Sequence, residues 1–328
     1  MGLHKMPTVK LFDILGVITK INTENFIETA RICGAVAVQD SYIYSNTSSK
    51  KTYQTEDISK QTEFNSSSNL DLVGELETDL TASAKNLRLS NVSAMADNKT
   101  LYLTGTDNLE VLNLTKGGYH LAESIENGQI VVENSRIVKF SNLVFDENTA
   151  SHNGVEVGFI PKNPPLYVLF ENCKFLGKFD NMAINVHSMQ NNGVVDIKNC
   201  LFKNGAGIRF SNKTNAKNLT LNIIDCILEP GESHIPYPGE GDEFFLRLRD
   251  HESKSLEESL TSNFYGPDKL KVNFKNLILP KGKLLTSDKD ELFPGGKRNI
   301  LNITLDEGIS ENRIVEYDPK VYPLVTIK

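Results

Sequence analysis

Three thiols raise the first chemical question. Cys173, Cys200 and Cys226 follow one another at intervals of 27 and 26 residues. With Cys33 they make four cysteines in 328 residues, too few for a disulfide scaffold. A metal site would need deprotonated thiolates converging on one ion. Each of the three instead follows an asparagine or aspartate, in "ENC", "KNC" and "IDC". They belong to a repeated phrase and are read as an internal column of small hydrophobes. A second candidate is Arg247 and Arg249, which alternate with Leu246 and Leu248 and so point outward, beside Glu240, Asp242 and Glu243. That arrangement is either a surface ion-pair network or a carbohydrate or metal site. No G-x-S-x-G, P-loop, Cys-x-x-Cys or His-Glu-x-x-His motif occurs, and the six histidines show no zinc spacing.

The phrase around the thiols defines the elements. With Asn172 as centre, apolar residues lie at −4 (Val168), −2 (Phe170), +1 (Cys173) and +3 (Phe175). Alternation before the centre marks a strand with one face inward, and the change of phase after it marks a turn into a second strand. Asn91, Asn142, Asn199, Asp225 and Asn276 head the same four slots. Weaker copies centre on Asn113, Asp250 and Asn302. A position fills all four slots by chance only about 2% of the time at this hydrophobic content, so the six full copies are a real repeat. A third strand per unit reads at 154–159, 182–187 and 206–211. Three strands and an asparagine turn in about 25 residues describe an all-β fold, a single-stranded right-handed parallel β-helix. About nine rungs at strand spacing would make a rod roughly 40 Å long. Asparagine suits the turn because it tolerates left-handed geometry, and stacked amides can bond to one another.

The phrases "FENCKF", "INVH" and "IKNCLFKNGAGIRFSN" resemble rungs of the pectate-lyase-like superfamily of right-handed parallel β-helices, over about residues 86–317. Tailspike-like members are closest in organisation. The resemblance implies a groove on the outer face of one sheet, with Glu156, Asn185, His187 and Arg209 as outward positions of the post-asparagine strands. For a lyase, Arg209 would stabilise an enolate, His187 would act as base, and carboxylates would hold Ca²⁺. Glu156 is the carboxylate on that face; Asp180 is read as lying in a turn. No close carboxylate pair for a hydrolase is evident. All four face residues are otherwise expected as solvated surface. Asn185, Asp180, Arg247 and Arg249 are the candidate binding residues. No cofactor is expected, and Ca²⁺ would enter only with a lyase.

Net charge is −7, with 39% hydrophobic and 23% charged residues and no basic cluster, which argues against nucleic acid as partner. No stretch reaches about 18 consecutive apolar residues, so no helix is expected to span a membrane. The start carries a short apolar run at 14–18 without the features of a secretory leader, so the expectation is a chain that remains in the cytoplasm where it is made. Residues 1–44 read as a small helical cap or anchor, 45–69 as a polar linker or long loop, and 70–328 as the β-helix with its tail. The chain has no Trp, although sugar grooves favour aromatic platforms. The leading expectation is therefore a non-enzymatic structural or receptor-binding protein of a phage or similar particle. It would be virion-located, a homo-oligomer such as a trimer, bound through its N-terminus to other particle proteins and at the surface to a cell-surface polysaccharide. A polysaccharide lyase or glycoside hydrolase, and a secreted or cell-surface adhesin, are the alternatives.

Overall fold

The computed structural model describes residues 52–120, 128–203, 207–214, 216–229, 246–249, 270–278, 285–287, 302–305 and 325–327. The chain divides into two units, Met1–Thr52 and Tyr53–Lys328. The expected N-terminal helices lie outside the described residues.

Among the described residues every strand pairing of the second unit is parallel and joins one rung to the next. In the first sheet Asn108–Lys116, Ile137–Ser141, Tyr167–Glu171, Val194–Lys198, Leu219–Ile224 and Leu270–Lys275 stack in chain order. Asn302–Leu305 and Val325–Ile327 extend that stack. After each turn comes a short strand of the second sheet: Val144–Phe145, Lys174–Phe175, Leu201–Phe202 and Ile227–Leu228. The third sheet stacks Leu101–Thr104, Gly128–Glu133, Ala150–Val157, Lys178–Val186, Ile208–Ser211, Leu246–Arg249 and Leu285–Ser287. The fold is an all-β parallel β-helix.

The turn asparagines behave as their chemistry requires. Asn91, Asn113, Asn142, Asn172, Asn199, Asp225 and Asn276 all have φ between 49° and 57°, the left-handed region where asparagine is favoured over other side-chain-bearing residues. Their side chains form a ladder: Asn113 donates to Asn91 at 3.1 Å, Asn142 to Asn113 at 2.9 Å, Asn199 to Asn172 at 2.6 Å and Asn276 to Asp225 at 2.8 Å. The last of these spans 51 residues, so Asp225 and Asn276 are successive turns of the described stack, and the turn expected at Asp250 lies outside the described residues. The strand before it, Leu246–Arg249, belongs to the third sheet, where it pairs with Ile208–Ser211. Alternation looks the same in either sheet, which is why the sequence pattern misplaces it. Asn302 is also misplaced: it opens a strand and sits opposite Lys271, with Ile303 and Leu305 opposite Val272 and Phe274.

The stretch read as a linker is partly rung. Gln54–Asp57 and Glu63–Glu75 are strands that pair with each other, and the second also pairs with Leu80–Ala94. Phe64 and Leu70 are buried while Asn65, Ser67 and Ser68 between them are exposed. A rung at the start of the stack keeps its polar residues on the solvent side and so reads as loop composition.

Inside, the slots are filled as the repeat demands. Phe140 stacks on Phe170 at 4.8 Å, and Phe175 on Phe202 at 5.0 Å. Cys173, Cys200 and Cys226 are free and buried. Hydrogen bonding with the Cys173 and Cys226 sulfurs, and then burial, push the Cys200 thiol well above its usual pKa. The exception is Lys116, at the +3 slot after Asn113. It sits between Ala94 and Phe145 in the stack and is 1% exposed. Its Nζ donates to Gly117 O at 2.8 Å, and no carboxylate among the described residues lies within ion-pair distance. Burial lowers its pKa to about 8, against the opposing pull of Asp146, Asp97 and Asp79. The folded amine is thus harder to protonate than the unfolded one, whose pKa is 10.5. Stability is penalised below about pH 8 and recovers as pH rises toward the unfolded value. Lys116→Met should therefore raise stability at neutral pH by on the order of 1–3 kcal/mol and flatten the alkaline recovery. Thermal unfolding as a function of pH measures it; a lower melting temperature at neutral pH would contradict the account.

Candidate functional site

The third sheet carries a polar cluster on its outer face. Val155 and Val157, Ile184 and Val186, and Ile208 and Phe210 point into the core. The residues between them, Glu156, Asn185 and Arg209, must point the other way. They are register partners in three successive rungs, and Arg247 is the next. His187 follows Val186 on the same face, and Arg249 pairs with Ser211 one step along. The cluster expected from the sequence is therefore assembled, but it is not solvated. Glu156, Asn185, His187 and Arg209 are 0%, 1%, 3% and 4% exposed. A cover explains part of this. The Phe159 ring meets the His187 ring edge-on at 5.0 Å. Lys213 lies 3.6 Å over Phe159 and donates to its carbonyl at 3.2 Å.

A bulge shapes the near side. Ser151 pairs with Phe179 and Asn153 with Met182, so His152 alone opposes Asp180 and Asn181. Asp180, expected in a turn, is part of the strand Lys178–Val186 at this bulge. Bulges re-aim side chains, and this one presents Asn153 to both neighbours: its Oδ1 accepts from Met182 N at 3.3 Å and its Nδ2 donates to Glu156 Oε1. At Gly154, a Cβ would sit 2.5 Å from Ala183 O, so glycine alone lets the two strands approach here.

Glu156 Oε1 lies 3.9 Å from His187 Nε2. Among the described residues no hydrogen-bond partner reaches Glu156 Oε2 or Asn185 Oδ1. Burial raises the Glu156 pKa to about 7, opposed by the Asn153 hydrogen bond and the positive charges of His152, Arg209 and Lys213. A second carboxylate, Glu133, was not singled out from the sequence. It ends the strand Gly128–Glu133, is 7% exposed, and accepts from Ile160 N at 3.2 and 3.3 Å through its two oxygens. Burial raises its pKa to about 7 as well, against the Ile160 and Phe159 amides. The signal was present as alternation, with Ile130 and Val132 inward and Val131 and Glu133 outward. It was followed by Asn134, a left-handed turn at φ 51° with Ile130 and Val132 at −4 and −2, which the repeat read from the sequence did not include.

Glu156, poised near neutrality beside His187 and Arg209 and sensing the charge of Glu133, can exchange protons. As folded they are closed to a polymer. Among the described residues no three His, Cys, Asp or Glu side chains group as metal ligands. The acidic residues 240–243 beside Arg247 and Arg249 lie outside the described residues. The fold and this face define a parallel β-helix with a covered polar cluster. No protein-family model, curated protein or solved structure matches the chain.

The linkage of Glu156 has a definite sign. Its folded pKa lies above the value of 4.5 for an unperturbed glutamate, so the fold holds its proton more tightly. Stability is fully present below about pH 4.5 and is lost as pH rises through about 7. Glu156→Gln should raise the melting temperature at about pH 8 and shrink the decline between about pH 5 and pH 8. An unchanged decline would show that this carboxyl group is not buried as described.

Proposed function

We propose that this chain is a non-enzymatic β-helical rod, a structural or receptor-binding protein of a phage or similar particle, related to the pectate-lyase-like superfamily and nearest to its tailspike-like members. The observation that supports this reading is the burial of Glu156, His187 and Arg209 on the one face where catalytic groups were expected. The outer face of the first sheet fits the same reading. Asp71, Arg88, Glu110 and Lys139 are register partners of alternating sign. Arg88 bonds Asp71 at 2.7 Å and packs 4.2 Å over the Tyr53 ring. Such a column fixes register between rungs and suits a rod whose task is to be stiff. On this reading the rod works as a homo-oligomer, a trimer by analogy with tailspikes. It is assembled in the host cytoplasm, is joined to the particle through its N-terminal residues, and presents its surface to a cell-surface polysaccharide.

A polysaccharide lyase or hydrolase is the second reading, and the closeness of Glu156 and His187 favours it. One set of samples separates the two. Purified protein is offered uronate polysaccharides with and without Ca²⁺ while ultraviolet absorbance reports unsaturated products, and light scattering reports mass. The rod predicts an oligomer and no product. Product release that disappears in Arg209→Ala would establish the lyase instead, and a clean monomer at micromolar concentration would contradict the particle component.

A further inference from the structure

The cover over the cluster is one segment, residues 158–165, between the strands Ala150–Val157 and Tyr167–Glu171. Both of its ends are fastened by backbone bonds. Gly158 N donates to Val132 O at 2.9 Å, and Leu166 N to Arg136 O at 2.8 Å. Gln190 holds the far side, its Nε2 donating to Pro164 O at 2.8 Å and its N to Pro165 O at 2.9 Å. The middle is different. Residues 160–163 are exposed, Ile160 at 53%. What holds residues 159 and 160 down is side-chain chemistry from the site itself: the Glu133 carboxylate on Ile160 N, Lys213 on Phe159, and the edge of His187 against the Phe159 ring. Gly158, at φ +66°, supplies a backbone conformation at the first joint that other residues rarely take.

We propose that residues 158–165 form a proton-linked lid, which closes over Glu133 and Glu156 as they take up protons and opens as they ionise. The buried acceptors carry the argument. Glu156 and Asn185 are register partners, and Glu156 Oε2 and Asn185 Oδ1 both lack a donor under the closed lid. Two bare acceptors side by side are costly. A proton on Glu156 Oε2 turns one of them into a donor for the other. When Glu156 is ionised, that donor is lost, and water admitted by opening can serve both atoms. Glu133 adds to the effect: the Ile160 and Phe159 amides of the shut lid favour its ionised form, but its desolvation is the larger influence and leaves its pKa raised. The cations around the pair are Arg209, Lys213 and, when protonated, His152 and His187. Arg209, Lys213 and His152 favour the ionised carboxylates and so oppose closing. Burial outweighs them, which is why both groups titrate near 7. The closed lid thus binds more protons than the open one, and acid closes it.

The chain has no Trp, so Phe159→Trp places a single fluorescent reporter at the latch. Each unit by which a carboxyl pKa differs between closed and open forms shifts the lid equilibrium about tenfold. Acrylamide quenching should rise about two- to fivefold between about pH 5 and pH 8.5, with a midpoint near 7. In the background of Glu133→Gln with Glu156→Gln, where neutral amides replace both carboxyl groups, quenching should stay low across that range. Amide hydrogen exchange at Ile160 in the unmodified chain, corrected for the intrinsic effect of pH, gives the same reading without the reporter. Exchange should be faster above neutrality than below. Quenching and exchange that ignore pH, that rise toward acid, or that keep their full pH response without the two carboxyl groups would each overturn the lid.

Discussion

The structure depends on the pairing of each rung with the next through parallel backbone hydrogen bonds, held in register at one corner by asparagines in a left-handed turn. No rung can bury its inward side chains alone; the core exists only because neighbours stack. The asparagine corner makes the stack regular. Every turn spends one residue at positive φ, and the same residue reaches its counterpart in the adjacent turn, as Asn199 reaches Asn172 and Asn276 reaches Asp225. Backbone geometry and side-chain bonding therefore ask for the same amino acid at the same place. A shift by one residue would lose the turn, the ladder and the inside-outside sense of the flanking strands together.

That regularity makes the departures informative. Lys116 stands where other rungs put Ala94, Phe145, Phe175 or Phe202, and a charge there is held by one carbonyl. Glu133, Glu156, Asn185, His187 and Arg209 stand on the outer face, yet they are covered. Both groups oppose stability, one inside the coil and one beneath a loop. The interior lysine destabilises the fold on the acid side of its pKa and the covered carboxyl groups on the alkaline side of theirs, so their linkages have opposite signs in separate windows, between about pH 4.5 and 7 for the carboxyl groups and between about 8 and 10.5 for the lysine.

The turn centres from Asn91 to Asp225, and Asn276 beyond them, were legible because each combines a turn residue with four apolar slots whose phase changes at the turn. Asn302 and the sheet of Leu246–Arg249 were not, because two alternating leucines or isoleucines look alike in any sheet of the coil, and the long stretch of sequence after Glu229 hides which sheet comes next. The outward direction of Glu156, Asn185 and Arg209 was legible from period-two alternation, whereas their burial was not. Alternation says which face a side chain takes and nothing about which loop lies over that face. Residues 158–165 offered only Gly158 and three prolines as a signal, and their attachment depends on Glu133 and Lys213, which are distant in sequence. The strands at 54–57 and 63–69 were hidden by a composition that suits both a loop and the solvent side of a rung.

The register itself is the central claim, and paired cysteines test it most directly. Glu110 and Lys139 are register partners on the outer face of the first sheet, at the strand spacing of about 4.8 Å that a disulfide can bridge. Ser141 lies two residues further along, roughly 8 Å from Glu110, which a disulfide cannot span without moving the backbone. With Cys33 replaced by serine and the three buried thiols left in place, Glu110→Cys with Lys139→Cys should oxidise to an internal crosslink in the folded protein. Glu110→Cys with Ser141→Cys should stay reduced under the same conditions. Efficient closure of the second pair and failure of the first would contradict the stacked register on which the fold, the covered site and the lid all rest.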